Sequence, residues 1–270
     1  MTSTPTSCDQ RFGALNRLYG QAACDKLARL HICVVGLGGV GSWAVEALAR
    51  SGIGTLTLID WDKVALSNTN RQIHATTDAL GQKKHQALKQ RVATINPDCV
   101  VHTVDDFLTL RNLRDCLARD YDYVIDAIDS IRFKAGMIHF CKRHKIPIIT
   151  TGGAGGLTDP SLIRIADLSR TFNDPLAAKV RRRLRDEYGF SRNPRRRFGV
   201  DCVFSPQQPL YPKADGSVGH EKPGIAGVSL DCRFGYGSAV FVTATFGFIA
   251  VSRVIDKCLD RRSSRGCASG

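Results

Sequence analysis

Several residues in the first half of the chain have types and spacing suited to phosphate chemistry. Gly36-Leu37-Gly38-Gly39-Val40-Gly41 matches G-x-G-x-x-G, and it lies between a strand-like and a helix-like run, the context that gives the pattern meaning. Its glycines let the backbone turn tightly and approach a phosphate or ribose, while the following helix offers unpaired N–H groups to an anion. Asp60 ends the next strand-like run, 19 residues after Gly41, where a carboxylate can hold ribose hydroxyls. On this pattern alone NAD is the default ligand. However, Asn68, Arg71 and Gln72 follow closely on Asp60, Lys84 follows Gly81-Gln82, and Asp129 ends Ile125-Asp126-Ala127-Ile128-Asp129. Hydride transfer needs no Arg, Lys and second Asp converging on phosphates. Splitting a triphosphate does, because Arg and Lys neutralise phosphate charge and an Asp can hold Mg²⁺. Singly each is unremarkable: Lys84, with Lys83 and Lys89 nearby, reads as a solvated helix face. Their joint occurrence carries the inference.

These residues need a scaffold that brings them together. Leu15, Leu18, Tyr19, Ala22, Leu27 and Leu30 fall at helical spacing across residues 14–30. Strands are expected at 31–35, 55–59, 100–104, 123–127 and 146–150, and helices at 40–50, 82–95, 110–118 and 131–142. Such alternation predicts an α/β fold, a doubly wound (Rossmann-like) and mostly parallel sheet. Residues 1–13 read as a flexible tail, 14–156 as the nucleotide-binding domain, and 256–270 as a second tail. Residues 157–255 read as a continuation of the fold bearing a basic appendage at 179–198. In that part a strand is expected at 162–166, a helix from Asp174-Pro175, a strand at 198–204 and a long loop at 206–227. The stretch 234–252 carries no charge for 19 residues; it reads as a helix buried against the sheet, with membrane association as the alternative.

Composition bounds the partners. The 270 residues are 43% hydrophobic and 23% charged, ordinary for a folded protein, but the net charge of +13 favours a polyanion. Residues 179–198 hold Lys179 and eight arginines against Asp186 and Glu187, a local +7. Arg181, Arg182, Arg185, Arg192, Arg195, Arg196 and Arg197 are the candidate RNA contacts, since the planar guanidinium fork suits phosphates. Ten cysteines form no C-x-x-C pair, which argues against a zinc ribbon or redox motif. They are too sparse for a disulfide scaffold, and with no apolar signal region in the first thirty residues a cytoplasmic setting is expected.

The glycine loop, Asp60-Trp61-Asp62 and Ser67-Asn68-Thr69-Asn70-Arg71-Gln72, in this order and spacing, resemble the ATP-binding half of the ThiF/MoeB/HesA ubiquitin-activating-type adenylating family. A tighter likeness involves 40–54, 70–75, Thr150–Gly156, Asp174-Pro175-Leu176-Ala177 and Gly199–Ser205. It is similar to the tRNA threonylcarbamoyladenosine dehydratase branch of that family, over about 11–255. The resemblance implies ATP and Mg²⁺ as cofactors. Gly36, Gly38, Gly39 and Gly41 would line the nucleotide and Asp60 would hold its ribose. Asn68, Arg71 and Lys84 would face the phosphates, and Asp129 would serve the metal and the α-phosphate, making Arg71, Lys84 and Asp129 the catalytic set. Family members also use an N-terminal arginine, sometimes the dimer partner's; Arg11 and Arg17 both suit it.

The chain lacks the two C-x-x-C pairs of the zinc-holding relatives, so no zinc is expected. Cys202, the one candidate for a catalytic thiol, has alternating apolar neighbours and reads as a buried strand residue. The branch implies ATP-dependent cyclisation of threonylcarbamoyladenosine next to the tRNA anticodon, by carboxylate adenylation. It implies a homodimer, and a sulfur-acceptor protein of the cysteine desulfurase system as a further partner. Two rivals are an adenylating enzyme for a sulfur-carrier or ubiquitin-like protein and an NAD-dependent oxidoreductase. Whether ATP or NAD raises the melting temperature separates the last from the rest.

Overall fold

A computed structural model describes residues 7–213, 215–221 and 237–259. Seven strands form one sheet: β1 (His31–Val35), β2 (Thr55–Ile59), β3 (Val100–Val104), β4 (Tyr123–Asp126), β5 (Ile148–Thr151), β6 (Arg164–Asp167) and β7 (Asp201–Phe204). Their order is β3-β2-β1-β4-β5-β7-β6, all parallel except β6, which runs antiparallel to β7. Among the described residues eight α-helices accompany them: α1 (Ser7–Tyr19), α2 (Gln21–Leu27), α3 (Gly41–Arg50), α4 (Lys84–Ile95), α5 (Leu113–Leu117), α6 (Ile131–Arg143), α7 (Pro175–Glu187) and α8 (Val240–Cys258).

The period-2 direction of strand side chains sorts the core into two layers. From β1, Ile32 and Val34 join Leu48 of α3, Leu88 of α4 and Phe246 of α8 on one face. Cys33 and Val35 join Leu117 of α5, Met137 of α6 and Leu184 of α7 on the other. Both faces are covered, which is why the strands read as continuous apolar runs. After β3 the chain changes sides and β4 pairs with β1, so Val35 lies level with Ile59 on one side and Asp126 on the other. That reversal is the switch point at which open α/β sheets bind ligands.

Differences from expectation have local causes. The helical run 14–30 is two helices, broken at Gly20 with φ +88, and α1 already begins at Ser7, within the expected tail. The helix at 110–118 shrinks to α5 because Asn112 accepts the Thr109 N–H and donates to Asp106 and Phe107, a turn that competes with helix. The loop at 206–227 contains a short hairpin, β8 (Tyr211–Pro212) with β9 (Val218–Gly219), while 222–227 lie outside the described residues. Residues after 157 add β6, β7 and α7 to the same sheet and layers, and the basic segment rides on α7 and the loop after it.

The membrane reading of 234–252 is corrected. Residues 234–236 lie outside the described residues, the helix begins at Val240, and it runs on through Arg253, Asp256 and Lys257. Val242, Phe246, Ala250 and Val254 are buried against the sheet and α3, a burial worth about 1.5–3 kcal/mol for each large side chain. No helix among the described residues is long and apolar enough to cross a membrane.

Candidate nucleotide site

The loop leaves β1 at Gly36, whose φ of +85 favours glycine. A Cβ there would lie 2.8 Å from Ile128 Cγ2, one on Gly41 would lie 1.8 Å from Gly36 O, and one on Gly39 3.3 Å from Arg71 Cγ. The fold itself therefore demands small residues at these positions. Gly38 is different: a Cβ would meet nothing within 4 Å. Its bare backbone faces open space where a ligand can approach.

Asp60, at the end of β2, accepts the Leu37 N–H at 2.6 Å through Oδ2 and the Asp62 N–H at 2.8 Å through Oδ1. It thereby ties the glycine loop to the neighbouring strand. Lys84, the first residue of α4 and 7% exposed in its side chain, puts Nζ 2.5 Å from Asp62 Oδ2. Burial alone would raise the Asp62 carboxyl, but the Lys84 ammonium outweighs it and holds the group below the usual carboxylate range. Arg71 packs beside Gly39 and donates from Nη1 to Ser67 O (2.8 Å) and Asn70 Oδ1 (2.9 Å); its own carbonyl accepts from Trp43 Nε1 at 3.0 Å. Asn68 is buried, its Oδ1 taking the Ala65 N–H at 3.0 Å, which shapes the loop and leaves Nδ2 to a ligand. Asp129 is exposed between β4 and α6 and has no bonding partner among the described residues. Contacts thus join the glycine loop to Asp60 and Arg71, and Lys84 to Asp62, beyond the carboxyl ends of β1 and β2, while Asp129 follows β4, the other neighbour of β1.

Sequence reasoning missed the groups underneath. Asp126 is fully buried, with Lys134 Nζ 2.9 Å from its Oδ1 and the Thr150 hydroxyl donating to Oδ2 at 2.6 Å. Burial pushes this carboxyl up, against the pull of Lys134. The trio braces the turn that carries Asp129, and only Asp126, three residues away in the same motif, signalled it. Asp62 lies within the Asp60-Trp61-Asp62 motif, but its pairing with Lys84 exists only in three dimensions.

The basic residues divide. Arg181 donates to Thr171 Oγ1, and Arg185 lies over the Phe198 ring at 5.4 Å. Both are half-buried and hold neighbouring parts of the fold, unlike the exposed arginines of the same segment. Arg182 and Arg192 are exposed and share Asp186, at 3.6 and 2.6 Å. Arg195, Arg196 and Arg197 are exposed, and their side chains have no acid partner among the described residues. Arg11 donates to Ile95 O at 3.3 Å, at the opposite end of α4 from Lys84 and roughly 16 Å along the helix. Cys202 is fully buried in β7 and its thiol is driven far up by burial, which disfavours the nucleophilic thiolate.

The donor set suits a nucleotide triphosphate: an open glycine, helix N–H groups, a buried lysine, an arginine and a ribose-side carboxylate. Among the described residues no group of three His, Cys, Asp or Glu could hold a metal by itself. Asp129 fits Mg²⁺ as one ligand beside phosphate oxygens, the usual arrangement for that ion.

The ThiF family model matches residues 13–264. The tRNA threonylcarbamoyladenosine dehydratase of Escherichia coli K12 is 52% identical over 258 residues, 95% of this chain and 96% of that protein. A crystal structure of the E. coli dehydratase in complex with ATP superposes with a TM-score of 0.86 at 48% identity, covering 98% of this chain and all of that one. By contrast, the sulfur carrier protein ThiS adenylyltransferase of E. coli is 37% identical over 131 residues, 48% of this chain and 52% of that protein.

Proposed function

Because the chain belongs to the ThiF family, we propose that it is an ATP-dependent dehydratase acting on threonylcarbamoyladenosine beside the anticodon of tRNA. The observation that carries this is the reach of the likeness: the dehydratase match runs over nearly the whole chain, the carrier-protein adenylyltransferase match over about half. The first spans 95% of this chain and 96% of its relative, so it takes in nearly the whole fold and not a shared part of it.

The free carboxylate of the threonyl group attacks the ATP α-phosphorus, a P–O bond forms, and pyrophosphate leaves. The carbamoyl group of the same substituent then attacks the acyl carbon, the ring closes, and AMP departs with the carboxylate oxygen. The balance is loss of one water. In this sequence Gly38 gives the phosphates access to the backbone, and Asp60 accepts ribose hydroxyls. Arg71 and Lys84 neutralise charge that develops on the phosphates. Asp129 would hold Mg²⁺, which supplies further charge neutralisation at the phosphate oxygens. No enzyme thiol is required, consistent with the burial of Cys202. A homodimer belongs to this reading: Arg11 lies far from Lys84 in its own chain, so an arginine from this region would reach a nucleotide in a second copy.

The three exposed arginines 195–197 serve as tRNA phosphate contacts. To test the reading, the protein is incubated with ATP and tRNA bearing the modified adenosine, and the digested nucleosides are weighed by mass spectrometry. Loss of one water with stoichiometric AMP is expected. ATP turnover that leaves the nucleoside unchanged would overturn it.

A further inference from the structure

We propose that a small cavity at the carboxyl ends of β5 and β7 receives the uncharged hydroxyethyl side chain of the threonyl group, with its carboxylate turned toward the nucleotide site and its cations Arg71 and Lys84. This rests on the dehydratase reading above. Three separate stretches line the cavity: Gly153 and Gly155 after β5, Asn173, Asp174 and Leu176 at the start of α7, and Ser205 after β7. They fall in or beside the segments 150–156, 174–177 and 199–205 singled out in the sequence, for which the nucleotide loop has no use. The cavity is next door to the chemistry. Asp126 pairs in register with Thr150, so the turns after β4 and β5 leave the sheet side by side.

The walls are built rather than incidental. Asp174 accepts the Gly153 N–H at 3.0 Å through Oδ2 and the Ala177 N–H at 2.8 Å through Oδ1, fastening the glycine turn to the start of α7. A Cβ on Gly152 would fall 1.7 Å from that Oδ2, so the turn closes only over glycine. Ser205 is 2% exposed; its Oγ accepts the Gln207 N–H at 3.2 Å, and its own proton has no acceptor among the described residues. A buried hydroxyl with an unspent donor calls for a ligand oxygen.

Size and charge select the ligand. The cavity measures about 40 Å³, and since one water needs roughly 10–15 Å³, it has room for about three or four non-hydrogen atoms. A nucleobase does not fit; a hydroxyethyl group, with two carbons and an oxygen, does. Asp174 is the one ionisable residue in the lining, so like-charge repulsion turns a carboxylate away and toward the cationic nucleotide site. Leu157 and Leu176 suit the methyl, and Ser205 donates to the hydroxyl.

The test compares kcat/KM on two anticodon stem-loop RNAs, one carrying threonylcarbamoyladenosine and one glycylcarbamoyladenosine, which lacks the hydroxyethyl group. Wild type should prefer the first by about 10–200-fold, the range for a small group filling a fitted pocket. Ser205→Ala should cut that preference by roughly two- to tenfold, the loss of one hydrogen bond, with ATP affinity unchanged. Leu176→Phe should lower turnover of the threonyl RNA while sparing the glycyl one. Equal wild-type rates on both RNAs, or a Ser205→Ala effect shared by both, overturn the cavity assignment alone. A folded wild type inactive on both overturns the dehydratase reading and the assignment with it.

Discussion

Replacing Gly38 and Gly41 in turn by alanine separates what the glycine loop does for the fold from what it does for the ligand. Gly41→Ala places a methyl 1.8 Å from Gly36 O, and because Cβ atoms do not approach a carbonyl oxygen closer than 3 Å, the loop must open by more than 1 Å. Overpacking of this kind costs about 1–3 kcal/mol or more, which at roughly 2–4 °C per kcal/mol for a chain this long lowers Tm by several degrees. Gly38→Ala meets no protein atom within 4 Å, and Gly38 is not in the positive-φ region. That change reduces the freedom of the unfolded chain and should stabilise by about 0.4–1 kcal/mol. Its methyl nevertheless occupies the space facing the ligand, and a clash of about 1–3 kcal/mol there weakens ATP roughly 5- to 150-fold. Chemical denaturation without nucleotide and calorimetric ATP titration read the two effects separately. A Gly38→Ala protein that binds ATP as wild type does would refute the assignment of phosphates to this backbone.

Arg71→Ala and Asp129→Ala should each lower AMP production by about 10²–10³ while circular dichroism stays native, the cost of losing one preorganised charge contact at a transferring phosphoryl group. Near wild-type turnover in both would remove them from the catalytic set. Replacing Arg195, Arg196 and Arg197 together by alanine should weaken tRNA at every sequence alike and reduce the slope of log affinity against log salt by roughly 2, at about 0.7–0.9 per phosphate. An unchanged slope would make that loop a solubilising surface. His74 is buried with neither ring nitrogen partnered among the described residues, and burial lowers its pKa to about 4. Its native form stays neutral while the unfolded chain takes up a proton below about 6.5, so its contribution, up to about 3 kcal/mol, is complete above that pH and is lost as pH falls toward 4. Urea titrations of wild type and His74→Phe across that window should diverge on acidification, wild type losing stability that the variant keeps, and parallel curves would contradict the assignment.

How much could be read before the structure depended on how local the cause was. The strands at 31–35, 55–59 and 100–104 stand where the apolar runs put them, because a parallel strand covered on both faces leaves an uninterrupted signature. Asp60, Arg71, Lys84 and Asp129 stood out as candidates because glycine turn, strand end and charge type recur together within one stretch. The partners that fix them did not. Lys84 meets Asp62 across 22 positions, and the Thr150 hydroxyl meets Asp126 across 24, distances over which no periodicity speaks. For Arg181 and Arg185 only the charge type was local information, while their contacts with Thr171 and Phe198 appear in three dimensions alone.

The close seating of α8 on α3 bears on the order in which the molecule can become competent. At Gly247 a Cβ would come within 2.7 Å of Val40 O, and Thr243 contacts the Arg71 carbonyl from 172 positions away. The phosphate loop, emerging early from the ribosome, therefore lacks its backing until a segment beyond residue 240 has been made. Contacts of such long sequence separation close late, because the entropy of joining distant parts must be met before they reward it. A nascent chain stalled short of α8 would display the glycine fingerprint without a firm grip on nucleotide. Competence for ATP would arrive nearly together with completion of the fold.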